Sequence, residues 1–227
     1  MKKKGNVITL MIIIVLLAMI GFSGYKIVSI FMDYHEVEVI NEEAREEYTH
    51  FEEDEFPIVD FDQLVTANND IVGWLYIPDT NVNFPIVKGE DNYVYLHADY
   101  LGRYNFAGSI FMDYRCNSKF KDRETMLYGH NMHSGAMFGR LKKFDDEDYL
   151  KAHKEVYVLI PGNKYIRYTV SKAGYINIKD DVYDLPKDDG KPETLVLSTC
   201  TDSSSETERF VVICDYEGKF KIEKDNN

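Results

Sequence analysis

Three side chains in the second half of the sequence are of types that together carry nucleophilic catalysis, a thiol, an imidazole and a guanidinium, and each lies at a strand-like run. Cys200 ends the apolar run Thr194-Leu-Val-Leu-Ser-Thr-Cys200, and a polar segment, Thr201 to Glu208, follows it. A side chain at a strand end is held rigidly beside a loop-built cleft. That placement suits a nucleophile, and a thiol is the most nucleophilic side chain near neutral pH. The competing reading is a buried structural cysteine, a common fate of this residue type. His130 ends a second run, Thr125-Met-Leu-Tyr-Gly-His130, in which Gly129 permits close backbone approach or positive φ. On a neighbouring strand tip it would complete a thiol–imidazole pair; a lone histidine otherwise reads as a surface or hydrogen-bonded structural residue. Arg209 opens the run after Cys200, nine residues on. A loop that leaves and returns would bring its guanidinium back to the thiol, to lower the thiol pKa and to hold an oxyanion. Spacing alone equally suits an ion pair with Glu206 or Glu208.

The remaining candidates read as structure. Cys214, inside Phe210-Val-Val-Ile-Cys-Asp-Tyr, belongs to a core, and Cys116, in a loop rich in Lys, Arg and Asn, reads as an exposed bystander. His35, His50, His97, His133 and His153 are assigned to surface or structural roles. A zinc site would use His130 and His133 at i,i+3 with Cys200. That pair follows a strand rather than lying on a clear helix, and no fourth ligand stands at a diagnostic spacing.

The elements that would position these residues are mostly strands. Short β-like runs broken by turns cover 73–77, 82–87, 108–113, 125–128, 156–160, 165–175, 194–199 and 210–216. Pro78-Asp-Thr-Asn81 and Pro161-Gly-Asn-Lys164 are turn sequences. Asp60 caps a short helix carrying Phe61, Leu64 and Val65, with Gln63 as a variant capping box. Met137, Phe138, Leu141 and Phe144 share one face of an expected helix over 136–144, and 145–149 forms a short turn. Many short strands without βα alternation argue for a closed or sandwiched β architecture.

Composition places the domain. Of 227 residues, 26 are Lys or Arg and 39 are Asp or Glu, and residues 1–26 hold four Lys and no acid. The rest therefore carries 22 − 39 = −17, a poor partner for phosphate backbones, which excludes nucleic-acid binding. Three cysteines exclude a disulfide-stapled scaffold. Lys2, Lys3 and Lys4 precede 19 uncharged residues, Val7 to Tyr25, close to the ~20 needed to cross a bilayer as a helix. The run is longer than the core of a cleavable signal peptide, so we expect residues 1–26 to be an uncleaved signal-anchor with its N-terminus in the cytoplasm. Residues 27–55 read as an acidic stalk. Its apolar residues Val37, Ile40, Ala44, Tyr48 and Phe51 make a helical stripe that lies on the domain, here taken as 56–227.

The strand ending in Gly129-His130, the Leu197-Ser-Thr-Cys200 strand end and Arg209 together resemble a sortase. The stretches 69–87, Asp91-Asn-Tyr-Val-Tyr-Leu96, Gly108-Ser-Ile-Phe-Met-Asp-Tyr114 and 129–138 resemble class B sortases in particular. The likeness covers about 60–217. It implies a β-barrel of about eight strands and a Cys–His–Arg site, which falls on Cys200, His130 and Arg209. It also implies that Asn92, Leu96, Tyr128, Ser198, Thr199 and Asp202 lie along the substrate groove. The implied activity is transpeptidation. A sorting signal near the C-terminus of a secreted protein is cleaved through a thioester and passed to an amine of a cell-wall peptide, with no metal or organic cofactor. A cell-surface cysteine hydrolase and a non-catalytic binding module are the competing classes. One departure stands out: only 18 residues, 176–193, separate the two strands before Cys200, where class B members carry a longer helical insertion.

Overall fold

The structure is a computed structural model that describes residues 2–51, 56–200 and 207–222, the side chains of 2–6, 51 and 200 excepted. The chain divides into two compact units, 1–39 and 40–227. The first is helical throughout its described residues, as part of α1 (Lys2–Tyr48). The helix carries an apolar window of mean hydropathy 2.7, long and apolar enough to cross a membrane. Its apolar side chains from Val7 to Met32 are exposed all round, as a lipid-facing helix requires.

The second unit begins with the last turns of α1. Ala44 and Tyr48 are buried there and Ile40 packs beside them, against Phe61, Leu64 and Tyr100. The stripe expected from the sequence is therefore a packing face, but the helix stops at Tyr48. Thr49–Phe51 forms a strand, β1, paired antiparallel with β2 (Pro57–Val59). Asp60 caps α2 (Phe61–Ala67): its carboxylate accepts both the backbone N–H and the side-chain amide of Gln63.

Eight further strands follow: β3 (Ile71–Tyr76), β4 (Asn83–Val87), β5 (Ile110–Met112), β6 (Glu124–Tyr128), β7 (Glu155–Ile160), β8 (Lys164–Asn177), β9 (Thr194–Cys200) and β10 (Glu208–Lys221). They close a barrel in the order β10-β8-β7-β3-β4-β5-β6-β9. Each corresponds to one of the eight expected runs. Trp74, Leu75, Ile86, Ile110, Met126, Leu127, Val158, Leu197 and Val212 are fully buried on one face of the sheet or the other, Trp74 in the cluster with α1 and α2.

Two expectations fail. Residues 136–144 are not an α-helix. Met137 takes φ 50° and bridges Asn131, and only a 3₁₀ turn, Leu141–Asp145, follows. The four apolar residues are buried as expected, but as the underside of a folded loop. A true helix, α3 (Glu147–Ala152), starts just after, capped by Asp146. Cys116 is buried rather than exposed, because its loop folds back on β6. The Asp113 carbonyl accepts the Cys116 N–H at 2.9 Å, Asp122 accepts that of Asn117, and the Cys116 thiol lies 3.9 Å from the Glu124 carbonyl.

Candidate active site

The barrel's strand order brings the singled-out residues to one end. β6 and β9 are neighbours and run parallel, with Tyr128 opposite Ser198. Parallel partners end on the same side, so the residues that follow, Gly129-His130 and Thr199-Cys200, emerge together. β10 returns antiparallel to β9 with Arg209 directly opposite Cys200. The chain thus returns Arg209 to the strand end that carries Cys200.

These residues rim a cavity of about 180 Å³ lined by Asn92, Leu96, Phe111, Tyr128, Gly129, His130, Ser198, Thr199 and Arg209. The described groove residues expected from the sequence, Asn92, Leu96, Tyr128, Ser198 and Thr199, all lie in its wall. The side chain of Cys200 and all of Asp202 lie outside the described residues. The backbone of Cys200, at the end of β9, is nevertheless in register with Arg209 at the cavity rim.

His130 is fixed through its ring. Nε2 lies 2.8 Å from the Leu96 carbonyl. A carbonyl only accepts, so Nε2 carries the proton and Nδ1 is the basic atom of the neutral ring. Gly129 permits this placement by close approach: a Cβ there would stand 2.5 Å from Ile110 and 2.8 Å from Phe138. Burial holds the imidazole below its usual pKa; the Leu96 carbonyl pulls it partly back up, and His97 lowers it again. His97 is therefore not remote. Its ring stacks on His130 with centroids 5.6 Å apart and planes at 21°. No spacing rule links the two residues; only the loop between β4 and β5 brings them together.

Arg209 donates from Nη1 to the Glu208 carbonyl at 2.8 Å, and its side chain lines the cavity. The Ser198 hydroxyl meets the Tyr183 hydroxyl at 2.8 Å, so the short β8–β9 segment touches the cavity wall. Tyr183 was not legible in the sequence, lying in a run rich in Asp and Lys. The Thr199 hydroxyl, buried in the same wall, has no hydrogen-bond partner among the described residues. The other two thiols are unsuited to attack. Burial pushes Cys116 up to about 12 and raises Cys214 further; neither forms a disulfide.

Comparison with known proteins agrees with this fold. A family model described as the sortase domain matches residues 75–217. Over 90 residues, 40% of this chain, the sequence is 49% identical to a sortase B of Listeria monocytogenes. That match spans only 37% of the Listeria protein's length. A Staphylococcus aureus sortase B is 28% identical over 88% of this chain and 92% of its own. The crystal structure of sortase B from B. anthracis, in complex with AAEK1, superposes with a TM-score of 0.66 at 33% identity. The superposition covers 82% of this chain and 98% of that one.

Proposed function

The chain belongs to the sortase family, and from that premise we propose that it is a class B-type cysteine transpeptidase of the cell surface. It would act on secreted proteins that carry a sorting signal near the C-terminus. The observation that carries this reading is the convergence at one barrel end: His130 and Arg209 share a cavity, and the backbone of Cys200 faces Arg209 across β9 and β10. In the reaction, the Cys200 thiolate attacks a backbone carbonyl of the sorting signal. Arg209 holds the charge that develops on the oxygen. The C–N bond breaks, the leaving amine takes a proton from His130, and a thioester remains. An amine of a cell-wall peptide precursor then attacks the thioester, giving its proton to His130. A new amide forms and the thiolate is released. Asn92, Leu96, Tyr128, Ser198, Thr199 and Asp202 would line the groove for the peptide.

The apolar part of α1 would anchor the enzyme as a single span. Lys2, Lys3 and Lys4 hold the N-terminus in the cytoplasm, which leaves the barrel outside. The test uses the full chain in detergent micelles. It is incubated with a peptide taken from just upstream of the apolar helix and basic tail of a secreted protein of the same genome, with excess amine. Cleavage with formation of the amide, abolished in Cys200→Ala, supports the transpeptidase. Cleavage without transfer makes the protein a cysteine hydrolase. Neither reaction, with an unreactive Cys200, makes it a binding module.

A further inference from the structure

Asp113 follows β5 and its side chain is fully buried, yet no step of the reaction above uses it. Its carboxylate accepts five hydrogen bonds. Oδ1 takes the Arg115 backbone N–H and Nε, each at 2.9 Å. Oδ2 takes Arg115 Nη2 at 2.9 Å, Asn92 Nδ2 at 2.9 Å and the Tyr128 hydroxyl at 3.0 Å. Asn92 and Tyr128 line the cavity. Arg115, the counter-ion, also donates from Nη1 to the Leu185 carbonyl at 3.3 Å, in the segment between β8 and β9.

This arrangement decides what the cavity offers. The Asn92 carbonyl accepts the Tyr114 N–H at 3.0 Å while its amide nitrogen donates to Asp113. Flipping the amide would set an oxygen against the carboxylate and an NH₂ against an N–H, so one orientation is enforced. One N–H of Asn92 is spent on Asp113, which leaves the other, on a residue that lines the cavity, as a donor of fixed direction. The Tyr128 hydroxyl spends its only proton on Asp113 and can only accept toward the cavity. Burial and the charge of Asp113 raise the pKa of Tyr128, so it stays a phenol throughout the working range.

We infer that Asp113 is a positioning residue for the peptide groove: through Asn92 it presents a fixed N–H donor to a peptide carbonyl, and through Arg115 it ties the β8–β9 segment to the same wall. The inference rests on the transpeptidase reading, since it assigns the groove to a peptide. Asp113 does not touch the reacting atoms, so its loss should weaken peptide use and leave the thiol chemistry intact.

The test uses the full chain in detergent micelles, the quenched-fluorophore form of the sorting-signal peptide described above, and iodoacetamide as a small thiol probe that needs no groove. Asp113→Asn and Asn92→Ala should each lower kcat/KM for the peptide by roughly tenfold or more, chiefly through KM. The alkylation rate of Cys200 should stay within about twofold of the parent. The double variant should be little worse than either single one, because both remove the same donor. In the isotope-labelled parent, the Asn92 side-chain N–H bonded to Asp113 should be protected from exchange with water, and that protection should be lost in Asp113→Asn. The idea fails if Asp113→Asn cleaves the peptide normally, if its effect adds fully to that of Asn92→Ala, or if the Asn92 protection does not change. If Asp113→Asn misfolds, Asn92→Asp replaces it. A carboxylate facing Asp113 should cost more than Asn92→Ala, and an equal or smaller loss overturns the idea. A parent chain that never cleaves the peptide, whatever its alkylation rate, refutes the transpeptidase reading and the groove role with it. Failure of the inference alone appears only in the variants.

Discussion

Arg209 and a lysine in its place would carry the same charge but not the same geometry. The guanidinium lines the cavity while Nη1 holds the Glu208 carbonyl. An ammonium is a point donor that cannot serve the strand backbone and an oxyanion with one planar group. Arg209→Lys should therefore remain folded, with Cys200 still open to alkylation, and acylation slowed by about 10²–10³. Near-normal transfer would return Arg209 to the role of a surface ion-pair residue. His97 makes a second prediction at this scale. In the proposed mechanism peptide cleavage needs His130 charged and Cys200 ionised, so kcat/KM should be bell-shaped with pH, its two limbs belonging to the pair. An ordinary thiol, at about 8.5, titrates above an ordinary imidazole, at about 6.5, so the acid limb follows the imidazole and the alkaline limb the thiol. Burial lowers His130, so the acid limb should lie below the usual imidazole value. A neighbouring positive charge disfavours the imidazolium, so His97→Ala should move that limb to higher pH. A limb that stays put or moves down would remove His97 from the electrostatics of the site.

At the scale of elements, what was legible depended on whether neighbours in sequence or neighbours in space decide the outcome. The eight strands were legible because apolar runs between turn residues are local signals. That Cys200, His130 and Arg209 stand at one end of the barrel was legible because each ends or opens such a run. The segment 136–144 was misread because Met137, Phe138, Leu141 and Phe144 are buried at helical spacing without a helix. Period reports which residues face inward, not the path taken, and Met137 at φ 50° breaks the path. Asp113 meets Asn92, and His97 meets His130, through the loop between β4 and β5, while Arg115 reaches Leu185 between β8 and β9; no spacing encodes any of these meetings. That loop makes its own prediction. Gly108 has φ +59°, and a Cβ there would stand 2.5 Å from the Leu96 carbonyl oxygen, the acceptor of His130 Nε2. Gly108→Ala should cost about 1–3 kcal/mol in backbone strain and push that carbonyl aside. Thermal unfolding should show a midpoint lower by a few °C, roughly. Peptide turnover should fall well beyond what lost stability explains, and a silent Gly108→Ala would mean that the Leu96 carbonyl does not set the imidazole.

For the whole molecule, the question is where the catalytic unit begins. Composition suggested a boundary near residue 56, where the acidic stretch ends, yet the compact unit reaches back to Ile40. The reason is burial. Ala44 is fully buried and Tyr48 nearly so; Tyr48 meets Tyr100 edge-on with centroids 6.2 Å apart, and its carbonyl accepts the Asp60 N–H at 2.9 Å. β1 adds its pairing to β2. Removing residues 40–56 would expose the matching faces of Phe61, Leu64 and Tyr100. At about 1.5–3 kcal/mol for each large apolar side chain, the loss of Ile40 and Tyr48 is on the order of 4 kcal/mol. A fragment of residues 57–227 should then melt roughly 10 °C below one of residues 40–227. The damage should also reach the site. Tyr100 belongs to the same loop as Asn92, Leu96 and His97, and that loop is pinned further by Tyr95, which donates to Asp70 at 2.8 Å. With Tyr48 gone, one of its anchors is lost, the Leu96 carbonyl loosens, and His130 loses its fixed tautomer. Peptide cleavage by the shorter fragment should therefore fall even at temperatures where both fragments are fully folded. Equal melting points and equal cleavage rates would show that the end of α1 is a spacer, and that the barrel alone sets the geometry of its active site.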